Sequence, residues 1–329
     1  MQIVAGLGSI DEYERFVKAG ADEFFCGYVP FSWAEKYGVM NPLNRREVLY
    51  YNVQIGSMSE LQILKKMVDY YGKQVKLTFN SLYYTKEQYP MIAEIITQCM
   101  QAGFENFIIA DPALILYLRR QKINCGIHLS GEMAEVNRIM LKEMMQFDIR
   151  RVIFHRKNSL DDMENCISHI RRMSISLEEY EAFILNELCQ FSGAFCNSLH
   201  CDELTHLCRV PYKLGNLYPE EKENLPVREK LKTEKRPETD EEELPYDEDG
   251  YLTGSTGCGL CALYRMKQIG ITHLKLVGRG NYTDFMERDI RQLRKALELL
   301  DDAENEADYQ KTMRKAVFPE GCGKKCYYL

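Results

Sequence analysis

Short runs of β-branched and apolar residues alternate along this chain with longer stretches whose apolar positions recur at helical spacing. That is the pattern of strands joined by crossover helices. The apolar runs predict strands at residues 2–5, 23–27, 75–80, 106–110, 124–129, 151–155, 181–186 and 273–278. Helical periodicity covers 11–19, 57–71, 86–102, 112–121, 134–147, 160–172, 261–269 and 283–300. Ser57 ahead of Glu60 and Thr283 ahead of Glu287 stand where capping residues and dipole-favouring acids belong. Eight strand-then-helix units predict an α/β fold of the (β/α)8 TIM-barrel type, with an open doubly wound sheet as the alternative. A chain of 329 residues, 45% of them hydrophobic, suffices for one such barrel.

Chemistry on a barrel sits where strands end and the following loops begin. The predicted strand ends are polar: Cys26, Asn80, Asp111, His128 with Ser130 and Glu132, His155 with Arg156, Asn186 with Glu187, and Arg279. No apolar run is long enough to span a membrane, and the opening MQIVAGLGSI lacks the basic-then-apolar order of a secretory signal, so a cytoplasmic protein is expected.

Charge is unevenly placed. The net charge is −7, and residues 219–250 carry it alone, with thirteen acidic against six basic side chains and four of the ten prolines. The remainder is balanced, which argues against a bulk-charge surface for polyanions. Such a composition buries too little apolar surface to offset its ordering entropy, so a disordered acidic insertion is expected, able to serve as a docking surface for a protein partner. The expected layout is one barrel over residues 1–302, interrupted by a cysteine-rich loop and this insertion across 189–261, and followed by a tail at 303–329.

Cysteine usage changes the picture most. There are twelve, and in a reducing cytosol they point to metal binding or thiol chemistry before disulfides. Cys189, Cys196, Cys201 and Cys208 fall close together, Cys258 and Cys261 form a CxxC, and Cys322 and Cys326 form a CxxxC in the tail. Cys26, Cys99, Cys125 and Cys166 stand alone and read as small buried hydrophobes. Four thiolates suit zinc or an iron–sulfur cluster. Zinc ribbons present two tight CxxC-like pairs, whereas Cys189-x6-Cys196-x11-Cys208 is irregular, which tilts the choice for these residues towards a cluster.

The stretches GADEFFCG, VKLTFNS, IIADPALILYLR, GIHLSGEMAEVN, RVIFHRKNSLDDM, CQFSGAFCNSLHC, CRVPYKL and CALYRMKQIGITHLKLVGRGNYTDF, in that order, resemble peptidase family U-32, the collagenase-like proteins. Members of that family act in oxygen-independent hydroxylation of a quinone ring or of RNA bases and hold a 4Fe-4S cluster on four cysteines. The resemblance implies the same cofactor here, on Cys189, Cys196, Cys208 and Cys261, with Cys258 as the alternate fourth ligand. It also matches a histidine-serine element to His128 and Ser130, and a final strand to Lys275, Gly278 and Arg279. The chain departs from the pattern at Val277, where the family has an acidic residue, and at Lys157, where it has a glutamate after the arginine.

Neither HExxH nor GxSxG occurs, so the collagenase-like peptidase reading is the weaker one. On the redox reading His128, Arg156 and Arg279 orient an anionic substrate or co-substrate, as guanidinium groups do with carboxylates and phosphates. The resemblance alone implies a nucleobase, in RNA, or a small aromatic molecule as substrate, since the balanced body lacks the basic stripe of an RNA-binding face. A partner subunit without catalysis of its own, binding zinc or a cluster and docking through the acidic insertion or the tail, is the third reading.

Overall fold

Eight parallel strands close into a barrel in sequence order. They are β1 (Gln2–Gly6), β2 (Glu23–Gly27), β3 (Gln74–Phe79), β4 (Asn106–Ile109), β5 (Gly126–Leu129), β6 (Ile149–Ile153), β7 (Glu179–Leu185) and β8 (His273–Leu276). β1 and β8 pair to complete the ring. Among the described residues the helices are α1 (Asp11–Ala19), α2 (Phe31–Tyr37), α3 (Met58–Tyr71), α4 (Tyr89–Gln101), α5 (Pro112–Arg120), α6 (Arg138–Met144), α7 (Leu160–Arg172), α8 (Leu263–Ile269), α9 (Thr283–Asp301) and α10 (Glu306–Val317). The computed structural model describes residues 1–38, 42–45, 53–133, 136–173, 175–189, 196 and 250–328. Cys201, Cys208 and, Gly250 apart, the acidic insertion lie outside the described residues.

The (β/α)8 expectation is met strand by strand. Local chemistry explains most helix starts. Ser57 and Glu60 form a complete capping box on α3, Ser159 and Asp162 another on α7, and Asp111 caps α5 with Pro112 in the first turn. Two expectations need correction. Thr283 opens α9 and caps nothing, because Tyr282 holds the N-cap position. The sixth helix starts at Arg138, not at residue 134, because the Asn137 side chain accepts from the amides of Ile139 and Met140 and fixes the boundary there.

Residues beyond 302, read in the sequence as a tail, continue the fold. Tyr309 and Met313 of α10 are fully buried, and the Tyr309 hydroxyl donates to the Leu260 carbonyl at 3.0 Å. Further on, the Tyr327 hydroxyl donates to the Asn186 carbonyl, and that of Tyr328 to the Phe183 carbonyl at 2.7 Å. The four isolated cysteines are all buried, as expected.

The barrel interior is layered. Near the strand starts, Arg151 of β6 donates to both carboxylate oxygens of Glu23 on β2, at 2.5 and 2.9 Å, and to Glu181 on β7 at 2.8 Å. Lys275 of β8 donates to the other Glu181 oxygen at 2.7 Å. Burial alone would raise the Glu181 pKa, but Lys275 and Arg151 outweigh it and hold it at about 2. Val4, Phe25, Ile108, Ile153 and Phe183 pack into an apolar layer inside the ring, and four of the five form the floor of the cavity at the strand ends. No helix among the described residues is long and apolar enough to cross a membrane.

Candidate functional site

A cavity of about 90 Å³ opens where the strands end. Its walls carry four cations, Arg45, Arg156, Lys275 and Arg279, against two carboxylates, Glu132 and Glu187. All four cationic side chains are buried, so their charges face little screening and the field in the cavity favours an anion.

Arg279, beyond β8, is held from three sides: its Nη1 donates to Gln54 Oε1 at 2.9 Å, Asn44 Oδ1 at 3.2 Å and Thr78 Oγ1 at 3.3 Å. Two strand glycines make room for this arrangement. A Cβ on Gly6 would sit 2.7 Å from Arg279 Cγ, and one on Gly27 would overlap Gln54 Oε1 at 1.6 Å. Arg156, beyond β6, donates from Nη1 to the Glu187 carbonyl at 2.8 Å and from Nη2 to Glu132 at 3.3 Å, and lies over the Phe183 ring at 4.7 Å. Its Nε is buried with no hydrogen-bond partner among the described residues. Burial opposes the charge on Arg156, yet Glu132, Tyr327, Cys189 and Glu187 together raise its pKa above the ordinary arginine value. Arg156 therefore stays charged at any working pH.

Glu132 ties the rim together, pairing with Arg156 and, at 3.6 Å, with Arg45. Arg45 Nη1 in turn donates at 2.9 Å to the carbonyl of Cys196, which is buried. Cys189, four residues past β7, lies within electrostatic reach of Arg156. Of the cysteines singled out in the sequence, Cys196 is thus held by its backbone to an arginine that lines the cavity, and Cys189 acts electrostatically on another.

The expected site residues divide as follows. Asn80, Ser130, Glu132, Arg156, Glu187 and Arg279 line the cavity. His128 does not join them: it lines a separate cavity with Lys76, Asn106 and Glu179. Burial, then the charges of Arg151, Lys76 and Lys275, lower its pKa well below the ordinary value, so it is neutral. Asp111 is committed to capping α5, and Cys208 lies outside the described residues. Cys261 has gathered with Cys258, Cys322 and Cys326 around another cavity. Sequence reasoning missed Phe25, Thr78 and Phe183, for which inward strand alternation was the available signal. It also missed Arg45, which sits in a loop with no periodicity to mark it.

In donor type Cys189 and Cys196 suit an iron–sulfur cluster or zinc. Among the described residues, no three His, Cys, Asp or Glu side chains already stand as a metal-holding group.

Fold and site define a (β/α)8 barrel with an arginine-lined mouth and cysteines bound at its rim. The chain belongs to peptidase family U32, whose profile matches residues 8–328. It is 23% identical to the tRNA hydroxylation protein P of Escherichia coli (strain K12), over 90% of this chain and 68% of that protein. The tRNA hydroxylation protein P of Haemophilus influenzae (strain ATCC 51907 / DSM 11121 / KW20 / Rd) is 31% identical over 34% of this chain and 27% of its own length. Among solved structures, the U32 peptidase Mk0906 is 13% identical with a TM-score of 0.41, covering 59% of this chain and 73% of that one.

Proposed function

We propose that this protein hydroxylates, or modifies in a closely related way, a base of an RNA substrate. Arg156 and Arg279 bind an anionic group of the substrate or co-substrate in the mouth cavity. A 4Fe-4S cluster is held beside it by Cys189, Cys196 and Cys208; Cys261 and Cys258, the candidates for a fourth ligand in the sequence, line a different cavity. The cluster, when bound, supplies one-electron chemistry. The chain's own residues do the rest: Arg156 and Arg279 orient the anion, Phe25 and Phe183 form an apolar floor that keeps water from beneath it, and Glu132 holds Arg45 and Arg156 in place.

The observation that carries this reading is the hydrogen bond that ties the cysteine-rich loop to the cavity, from Arg45 to the Cys196 carbonyl. The similarity to proteins named for tRNA hydroxylation supports the substrate class. Chromatography and mass spectrometry of nucleosides from a strain lacking the gene tests it. We expect one hydroxylated nucleoside to disappear and to return with the wild-type gene. Arg156→Ala and Arg279→Ala should each cost about tenfold to hundredfold in modification rate, the worth of a lost charge-assisted contact. An unchanged nucleoside profile, with peptide cleavage by the purified protein instead, would sink the proposal.

A further inference from the structure

A second cavity, of about 30 Å³, is lined by Cys258, Cys261, Cys322 and Cys326 and shares no lining residue with the mouth cavity. These are the CxxC and CxxxC pairs, far apart in sequence and joined here by backbone pairing. The Cys258 amide donates to the Lys325 carbonyl at 2.8 Å, and the Tyr327 amide donates to the Cys258 carbonyl at 2.8 Å, which sets Cys258 beside Cys326. Each pair sits on a tight turn: Leu260–Ala262 is a 3-10 turn, and Gly321 and Lys324 take left-handed φ values of 115° and 52°.

Polar side chains from α10 hold one of the pairs in place. Arg314 Nε of α10 donates to Cys261 Sγ at 3.2 Å, and Gln310 Nε2 steadies the same residue through its carbonyl at 3.2 Å. Lys324 and Lys325 also line the cavity. Two short cysteine pairs on turns, with charged donors to sulfur, are the ligand pattern of a closed tetrathiolate zinc site.

We propose that Cys258, Cys261, Cys322 and Cys326 bind one zinc ion, which fastens the segment after α10 to the end of β7. The four sulfurs do not already stand in a metal-holding group. On binding, rotation of the cysteine side chains between their staggered wells closes them on the ion. The site is separate from the loop cysteines and does not rest on the hydroxylation reading. It takes Cys261 and Cys258 out of the cluster's ligand set and leaves the loop site Cys189, Cys196 and Cys208 as its thiols.

The test is zinc, iron and sulfide analysis of the full chain purified without oxygen, compared with two double variants. We expect one zinc per wild-type chain. Cys322→Ser with Cys326→Ser should lose the zinc and keep whatever iron the wild type holds. Cys189→Ser with Cys196→Ser should keep the zinc. Cobalt offered to the metal-stripped chain should give sulfur-to-cobalt charge-transfer absorption, absent from the Cys322/Cys326 variant, and this reads the site even where a variant is poorly soluble. Wild-type protein without zinc, zinc retained by the Cys322/Cys326 variant, iron and not zinc lost from Cys261→Ser, or disulfides found by alkylation at these cysteines would each overturn the proposal. Loss of iron from the Cys189/Cys196 variant bears only on the cluster, so the two readings fail separately.

Discussion

Asp289 shows how much one buried side chain can report. It lies on α9, fully buried, and its Oδ2 accepts from Asn186 Nδ2 at 2.6 Å and from the Tyr251 hydroxyl at 2.6 Å. Burial raises its pKa from 3.8 to about 6, and those hydrogen bonds only partly oppose the rise. The folded chain therefore holds this proton more tightly than the unfolded one. The associated stability is full below the unfolded pKa of 3.8 and is lost as pH rises through about 6. A shift of about two units corresponds to about 3 kcal/mol at most. Asp289→Asn should remove that slope, and urea unfolding from about pH 5 to about pH 8, wild type against variant, measures it. Residue identity at strand ends was readable in the sequence because the barrel rule names the place: Arg156 and Arg279 followed from it directly. His128 obeyed the same pattern yet faces the other way along the barrel. One step of position within a strand decides which end a side chain serves, and sequence boundaries are not that sharp.

At the scale of elements, the strands were legible because a buried parallel strand is a short, nearly continuous apolar run. Helix α2 was not: Phe31–Tyr37 is two turns long and presents one buried side chain, Trp33, too little to register as periodicity. Helix α10 was overlooked because its charged face dominates the composition, while three positions, Tyr309, Met313 and Val317, carry its buried face. The glycines ending β1 and β2 could be seen but not interpreted, since what approaches them comes from distant segments. Gly27 now has a definite role, as Gln54 and Asn44 occupy the space of a side chain there and in turn hold Arg279. Gly27→Ala should cost about 1–3 kcal/mol of stability through overpacking. It should also lower modification activity by more than the unfolded fraction explains, because the Arg279 anchors move. Denaturant midpoints and activity at matched folded concentration separate the two effects.

For the whole molecule, the layered interior sets the balance between fold and function. Charged side chains near the strand starts satisfy one another, an apolar layer closes over them, and the cations at the mouth are held in place by Glu132, Glu181 and the acceptors around Arg279. The pairing of particular charges across the ring was invisible in the sequence, since Arg151 and Glu23 are 128 residues apart. Arg151→Met would leave Glu23 without its bidentate partner and Glu181 with Lys275 alone. Lys76, 3.6 Å from Glu23, and Lys275 still pair with the two carboxylates, so the loss should stay below the roughly 3–5 kcal/mol of a fully unpaired buried charge, and equilibrium urea unfolding measures it.

The Arg151–Glu23 clasp joins β6 to β2, opposite walls of an eight-stranded ring. Neither wall can swing away from the other without breaking a buried, doubly hydrogen-bonded ion pair. The amides of these two strands, though never neighbours in the sheet, should then exchange with solvent through one shared opening event, at matching rates that fall together when the clasp is cut.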